Sequence, residues 1–131
     1  MKSLSMCKVL HVEDVDENRR VVRQIIARMG VTLFEAVDGE QGVAIARREL
    51  PDLILMDLSL PVLDGWQATA QLKADPTTCH IKIVAVTAHA MAGDEQRARA
   101  AGCDGYVTKP LDVVQFGEYV KAMLGASEMR R

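Results

Sequence analysis

Asp57 closes an uninterrupted apolar run, Leu53-Ile54-Leu55-Met56, and is followed by Leu58-Ser59-Leu60-Pro61. A run of this length without polar alternation predicts a strand buried on both faces, as in a parallel sheet covered by helices. A carboxylate at the carboxyl end of such a strand lies where open α/β sheets keep their ligand crevice. Burying a lone carboxylate is costly, so Asp57 requires either a partner or a chemical task.

Three further strands end in reactive side chains. Val9-Leu10-His11-Val12 runs into Glu13-Asp14, Ile81 to Val86 runs into Thr87, and Gly105-Tyr106-Val107 runs into Thr108-Lys109-Pro110. With parallel strands these ends share one sheet edge, so Glu13, Asp14, Asp57, Thr87 and Lys109 converge on one crevice. Helical segments alternate with the strands. Val21, Val22, Ile25, Ile26 and Met29 recur at helical spacing before a Gly30 stop, and Val31–Ala36 reads as a second strand. Asp38-Gly39 reads as a turn before a helix from Gln41 to Leu50, ended by Pro51. Trp66 to Ala74 and the polar, alanine-rich Asp94 to Ala101 are further helices. Val113, Phe116, Val120 and Leu124 give the last helix its core stripe. This alternation argues for right-handed βαβ units.

The residues at the shared edge resemble the receiver domain of two-component response regulators. The matching pieces are Glu13-Asp14, Asp57 within Met56–Gly65, Thr87-Ala88, and Tyr106 with Lys109-Pro110, in order along residues 7–124. The segment from Ala85 to Pro110 is similar to single-domain regulators of the DivK type, and also to receivers appended to hybrid kinases. The resemblance implies a flavodoxin-like (βα)5 fold: a doubly wound parallel sheet with strand order 2-1-3-4-5 in three layers. Residues 125–131 would be a short tail, too short for an output domain.

The resemblance also implies a chemistry. Asp57 would be the phosphoacceptor, its carboxylate attacking phosphorus to form an acyl phosphate. Three carboxylates resist joint ionisation, and a hard divalent cation removes that conflict; magnesium suits few carboxylates plus water and phosphate oxygens. Asp14, Asp57 and the carbonyl of Ser59 would hold Mg2+ directly and Glu13 through water. Glu13-Asp14 or Asp16 could also cap the following helix. Lys109 would pair with phosphoryl oxygens, or with Asp57 in their absence. Pro110 would follow it through a cis bond. Thr87 and the backbone of Ala88 would meet the phosphoryl group, and Tyr106 would turn inward as Thr87 moves. Ser59 and His89 would flank the path of the hydrolytic water, whereas His11 reads as a packed core residue.

Composition sets the outer limits. The chain has 131 residues, 16 basic and 18 acidic, with net charge −2. That length suits one domain, and that charge argues against a nucleic-acid binder working by bulk electrostatics. The basic pairs Arg19-Arg20, Arg47-Arg48 and Arg130-Arg131 read as solvated faces or tail. Cys7, Cys79 and Cys103 lack metal spacing and suit a reducing cytoplasm. No signal peptide or membrane span is expected. The implied partners are a histidine kinase or histidine phosphotransfer protein and a downstream protein target, with no membrane contact and the oligomeric state left open.

Two other classes compete. A small phosphohydrolase using an aspartyl phosphate would carry a second aspartate two residues after the nucleophile, where Ser59 stands. A flavin binder would need a hydroxyl- and glycine-rich loop after the first strand, where Glu13-Asp14-Val15-Asp16 would repel phosphate.

Overall fold

The computed structural model describes residues 3–88 and 92–129. Five strands, β1 (Lys8–Val12), β2 (Thr32–Ala36), β3 (Leu53–Asp57), β4 (Lys82–Thr87) and β5 (Gly105–Thr108), alternate with five helices. The helices are α1 (Asp16–Ala27), α2 (Gly39–Glu49), α3 (Gly65–Ala74), α4 (Asp94–Ala100) and α5 (Val113–Met129). All strand pairs are parallel, in the order β2-β1-β3-β4-β5. The doubly wound sheet expected from the sequence is therefore present.

The period-2 alternation of the strands divides the core into two layers. Leu10, Val12, Ile54, Met56, Ile83 and Ala85 face α2, α3 and α4, and meet Val43, Ala46, Ala68, Leu72 and Ala98. Val9, Leu53, Leu55, Val84 and Val86 face α1 and α5, and meet Val22, Ile25, Ile26, Phe116, Val120 and Leu124. Full burial of each large aliphatic side chain contributes ~1.5–3 kcal/mol, so β3, buried at every position, is the sheet's anchor.

Several boundaries differ from the sequence reading for local reasons. Helix α2 starts at Gly39 because Asp38 caps it, its carboxylate accepting the Gln41 amide at 2.7 Å. Asp16 is not a cap. It is the first residue of α1 and pairs with Arg19 at 3.1 Å, while the Val15 amide donates to Glu13 Oε2. Val21 is 40% exposed, since neighbouring residues of a helix point ~100° apart and the core stripe runs through Val22. Val113 is 48% exposed: it opens α5, and helical side chains lean back past their own first turn. Among the described residues, no helix is long and apolar enough to cross a membrane.

Candidate functional site

Register brings the reactive ends together. Val12 pairs with Met56, Asp57 with Val86, and Thr87 with Thr108, so the residues that follow these pairs emerge along one edge. The loop after β3 then turns tightly. Gly65 opens α3 so close to the Asp57 backbone that any side chain there would collide with the Asp57 carbonyl oxygen. Asp64 caps the helix in a reciprocal box with Gln67. Earlier in the same loop Val62, a β-branched residue, sits at φ 66°, a conformation that costs roughly 1–3 kcal/mol.

The centre of the crevice is a buried charge cluster. Glu13 is fully buried; Oε1 accepts from Lys109 Nζ at 2.7 Å and Oε2 accepts from the Val15 amide at 3.1 Å. Asp57 Oδ1 accepts from the Ser59 amide at 3.0 Å, and its Oδ2 faces Lys109 Nζ at 3.7 Å. Asp14, exposed, completes a triad whose ligand oxygens lie within 4.8 Å of one another. Lys109 was expected to pair with Asp57; its shorter contact is to Glu13. The lysine is carried on the β5–α5 loop, where its amide donates to the Thr87 carbonyl at 2.8 Å and the Lys109–Pro110 bond is cis.

Two carboxylates and one ammonium cannot all be satisfied. Burial pushes the Asp57 carboxyl up to about 6, and Glu13 adds to that against the Ser59 amide and Lys109. Burial raises Glu13 as well, but its bonds to Lys109 and the Val15 amide outweigh it and bring the carboxyl below its ordinary value. Glu13 therefore holds the lysine's charge, and Asp57 is left under-neutralised. An under-neutralised carboxylate beside Asp14 is what a hard cation would relieve.

The second half of the edge is more lightly built. Thr87 is buried at the end of β4, and Ala88 beyond it is exposed. Tyr106 packs against the α3–α4 layer with Trp66 and Leu63, and its hydroxyl is buried without a hydrogen-bond partner among the described residues. Helix α4 buries Ala98, and Arg97 stacks on the Trp66 ring at 4.2 Å. His89 and the Arg130-Arg131 pair lie outside the described residues.

One contributor escaped the sequence reading. Arg19 is not a solvated-face residue: its side chain is 14% exposed, and it donates to the Glu13 carbonyl at 2.8 Å and to Asp16 at 3.1 Å. It ties the acidic loop to α1. The signal available was position, an arginine one turn into the helix that follows an acidic loop.

A family model for the response regulator receiver domain matches residues 9–121. The chain belongs to that family. It is 42% identical over 117 residues to the polar-differentiation response regulator DivK of Brucella anthropi, covering 89% of this chain and 95% of that one. The DivK of Brucella abortus strain S19 matches with the same identity and coverage. Among solved structures, the receiver domain of the sensor histidine kinase PA1611 from Pseudomonas aeruginosa PAO1 is 34% identical with a TM-score of 0.83. That match covers 91% of this chain and 98% of that one, and a magnesium ion is coordinated in that protein's active site cleft. A CheY-like receiver from Methanospirillum hungatei JF-1, 24% identical with TM-score 0.87 over 95% of this chain and 98% of that one, shares the fold. The receiver is thus of the DivK-like response regulator kind within two-component signalling.

Proposed function

We propose that Asp57 of this receiver takes a phosphoryl group from the phosphohistidine of a histidine kinase or histidine phosphotransfer protein. The observation that carries this reading is the state of Asp57. It is a buried carboxylate at the end of β3, held on one oxygen by the Ser59 amide and facing Lys109 with the other. The Asp57 oxygen attacks phosphorus, the bond to the donor imidazole breaks, and the departing imidazole takes up a proton. Lys109 moves from Glu13 toward the phosphoryl oxygens, and the Thr87 hydroxyl and Ala88 amide receive the remaining ones.

Asp14, Asp57 and the Ser59 carbonyl are the proposed magnesium ligands. Both Glu13 oxygens are already engaged, which favours its acting through water. Magnesium supplies charge neutralisation between the carboxylates and the phosphoryl oxygens. The chain modifies itself and does not turn over an external substrate. Its output is a protein-binding surface around α4, β5 and α5, switched through Thr87 and Tyr106. The free cysteines Cys7, Cys79 and Cys103 suit a cytoplasmic setting.

Acetyl phosphate or phosphoramidate with magnesium tests this directly. Wild-type protein should gain one base-labile phosphoryl mass and Asp57→Asn none. Normal labelling of Asp57→Asn would remove the assignment.

A further inference from the structure

Asp14 is the exposed member of the carboxylate triad, and its carboxylate accepts no hydrogen bond among the described residues. Its place beside Asp57 is therefore set by the backbone on either side of it. Hydrogen bonds hold that backbone on both sides. The Glu13 amide donates to the Ala36 carbonyl at 2.9 Å, and the Val15 amide to Glu13 Oε2 at 3.1 Å. The Arg19 amide donates to the Val15 carbonyl at 3.1 Å, and Arg19 Nη1 to the Glu13 carbonyl at 2.8 Å. The last bond ties a side chain of α1 to the peptide that joins Glu13 to Asp14. We propose that Arg19 is a positioning residue for the metal site: its guanidinium fixes that peptide and so makes the site select Mg2+ over Ca2+. This rests on the proposed ligand set of Asp14, Asp57 and the Ser59 carbonyl.

The planar fork suits Arg19 to this task. Nη2 donates to Asp16 Oδ1 at 3.1 Å while Nη1 holds the Glu13 carbonyl, so one rigid group bridges the acidic loop and the first turn of α1. The side chain is 14% exposed, so little water competes for these bonds. Arg20 gives the contrast: its side chain is 61% exposed and pairs with Asp16 at 3.6 Å. The Asp14 side chain is short, so a rotation of the peptide before it displaces the ligand oxygen. Mg2+ tolerates such displacement poorly, because it demands near-octahedral geometry at about 2.0–2.1 Å. Ca2+ accepts flexible arrangements of oxygens. Loss of the bond to Glu13 should therefore weaken Mg2+ far more than Ca2+.

Charge makes the opposite prediction. Arg19 places a positive charge near the cation. If it acted through its field alone, removing it would tighten both ions alike. The sign of the change separates position from charge.

The test titrates metal-free, 15N-labelled protein with Mg2+ or with Ca2+ and follows the Asp14 and Ser59 amides. Arg19→Met keeps an unbranched stem and removes the donors. Its Mg2+ affinity should fall roughly tenfold or more, with little change for Ca2+, so the ratio of the two drops. Arg19→Lys keeps the charge and loses the fork, and should lie between Arg19→Met and wild type. Arg20→Met removes an equal charge from the next residue and should leave the ratio unchanged. Unchanged or tighter Mg2+ binding in Arg19→Met, an equal loss for both ions, or a wild-type ratio in Arg19→Lys would each overturn the proposal. Should Arg19→Met fail to fold, Arg19→Lys decides. Wild-type Mg2+ affinity in Asp14→Ala would overturn the ligand set and this proposal with it. A weakened Asp14→Ala beside wild-type ratios in the Arg19 variants would overturn the positioning role alone.

Discussion

Glu13 and Tyr106 sit on the same sheet edge and are treated in opposite ways. Glu13 is fully buried and both its carboxylate oxygens are bonded. Tyr106 buries a hydroxyl with no partner among the described residues. The contrast extends to their surroundings. The Glu13–Lys109–Asp57 cluster is pinned by the Val15 and Ser59 amides and braced by Arg19. Helix α4 buries one residue, Ala98, and leans on a stacking contact between the exposed Arg97 and Trp66.

The magnitudes explain the division. Breaking a buried ion pair by removing one partner costs ~3–5 kcal/mol. An exposed cation–π contact contributes only ~0.5–1 kcal/mol, and an unsatisfied buried hydroxyl costs ~1–3 kcal/mol. Phosphorylation at Asp57, as proposed, would supply a coupling energy of typically ~1–3 kcal/mol. Under the proposed function that would suffice to move α4 and β5, while the Glu13–Lys109 bond would yield only because the phosphoryl oxygens take over the lysine. One half of the edge fixes donors for the chemistry, and the other is cheap to rearrange.

The largest expected effect is at Lys109. Lys109→Ala strands the buried Glu13 carboxylate beside Asp57, so metal-free stability should fall by ~3 kcal/mol or more in urea titration. Labelling by acetyl phosphate should slow as well. A loss under ~1 kcal/mol would mean the cluster is as soft as α4.

Asp57→Asn comes next, and its effect depends on pH. The folded-state carboxyl at about 6 lies above the ordinary 3.8, so the folded protein holds the proton more tightly. The stability this contributes is present below about 3.8 and is lost as pH rises through about 6. In EDTA, Asp57→Asn should match wild type near pH 4 and exceed it by up to roughly 3 kcal/mol at pH 7. His11 acts with the opposite sign. Burial lowers it from 6.5 to about 4, so its contribution is present above 6.5 and fades as pH falls through about 4. Wild-type stability should therefore be nearly flat between these limits and that of Asp57→Asn should climb. A pH-independent difference would place the strain elsewhere.

The smallest expected effect is at Arg97. Arg97→Ala should cost under ~1 kcal/mol, yet change Trp66 fluorescence and speed amide exchange in α4. A larger loss would show that α4 is anchored more firmly than its contacts suggest.

How much of this was legible in the sequence follows from what each signal encodes. The buried run into Asp57 and the parallel strand ends are local patterns, and they led to a parallel sheet and to the acidic cluster; the strand order came from the family resemblance. The pair between Lys109 and Asp57 that the resemblance implied is present at 3.7 Å. The shorter bond from Lys109 to Glu13 was not legible, because only the position of the β5–α5 loop sets it. Arg19 read as surface because its charge is visible in the sequence and its bond to a backbone carbonyl is not. Val21 and Val113 match helical spacing, but facing the core also depends on where the helix begins and how it rotates. His11 was read as core, and it is buried.

The most direct test of this division is an amide shift map with beryllofluoride, a phosphoryl mimic, on wild type and Thr87→Ala. In wild type, shifts should be large at the Asp57 loop and extend through α4, Tyr106 and α5. In Thr87→Ala they should persist around Asp57 and collapse across α4 and β5. A wild-type pattern around Tyr106 and α5 in Thr87→Ala would contradict the account.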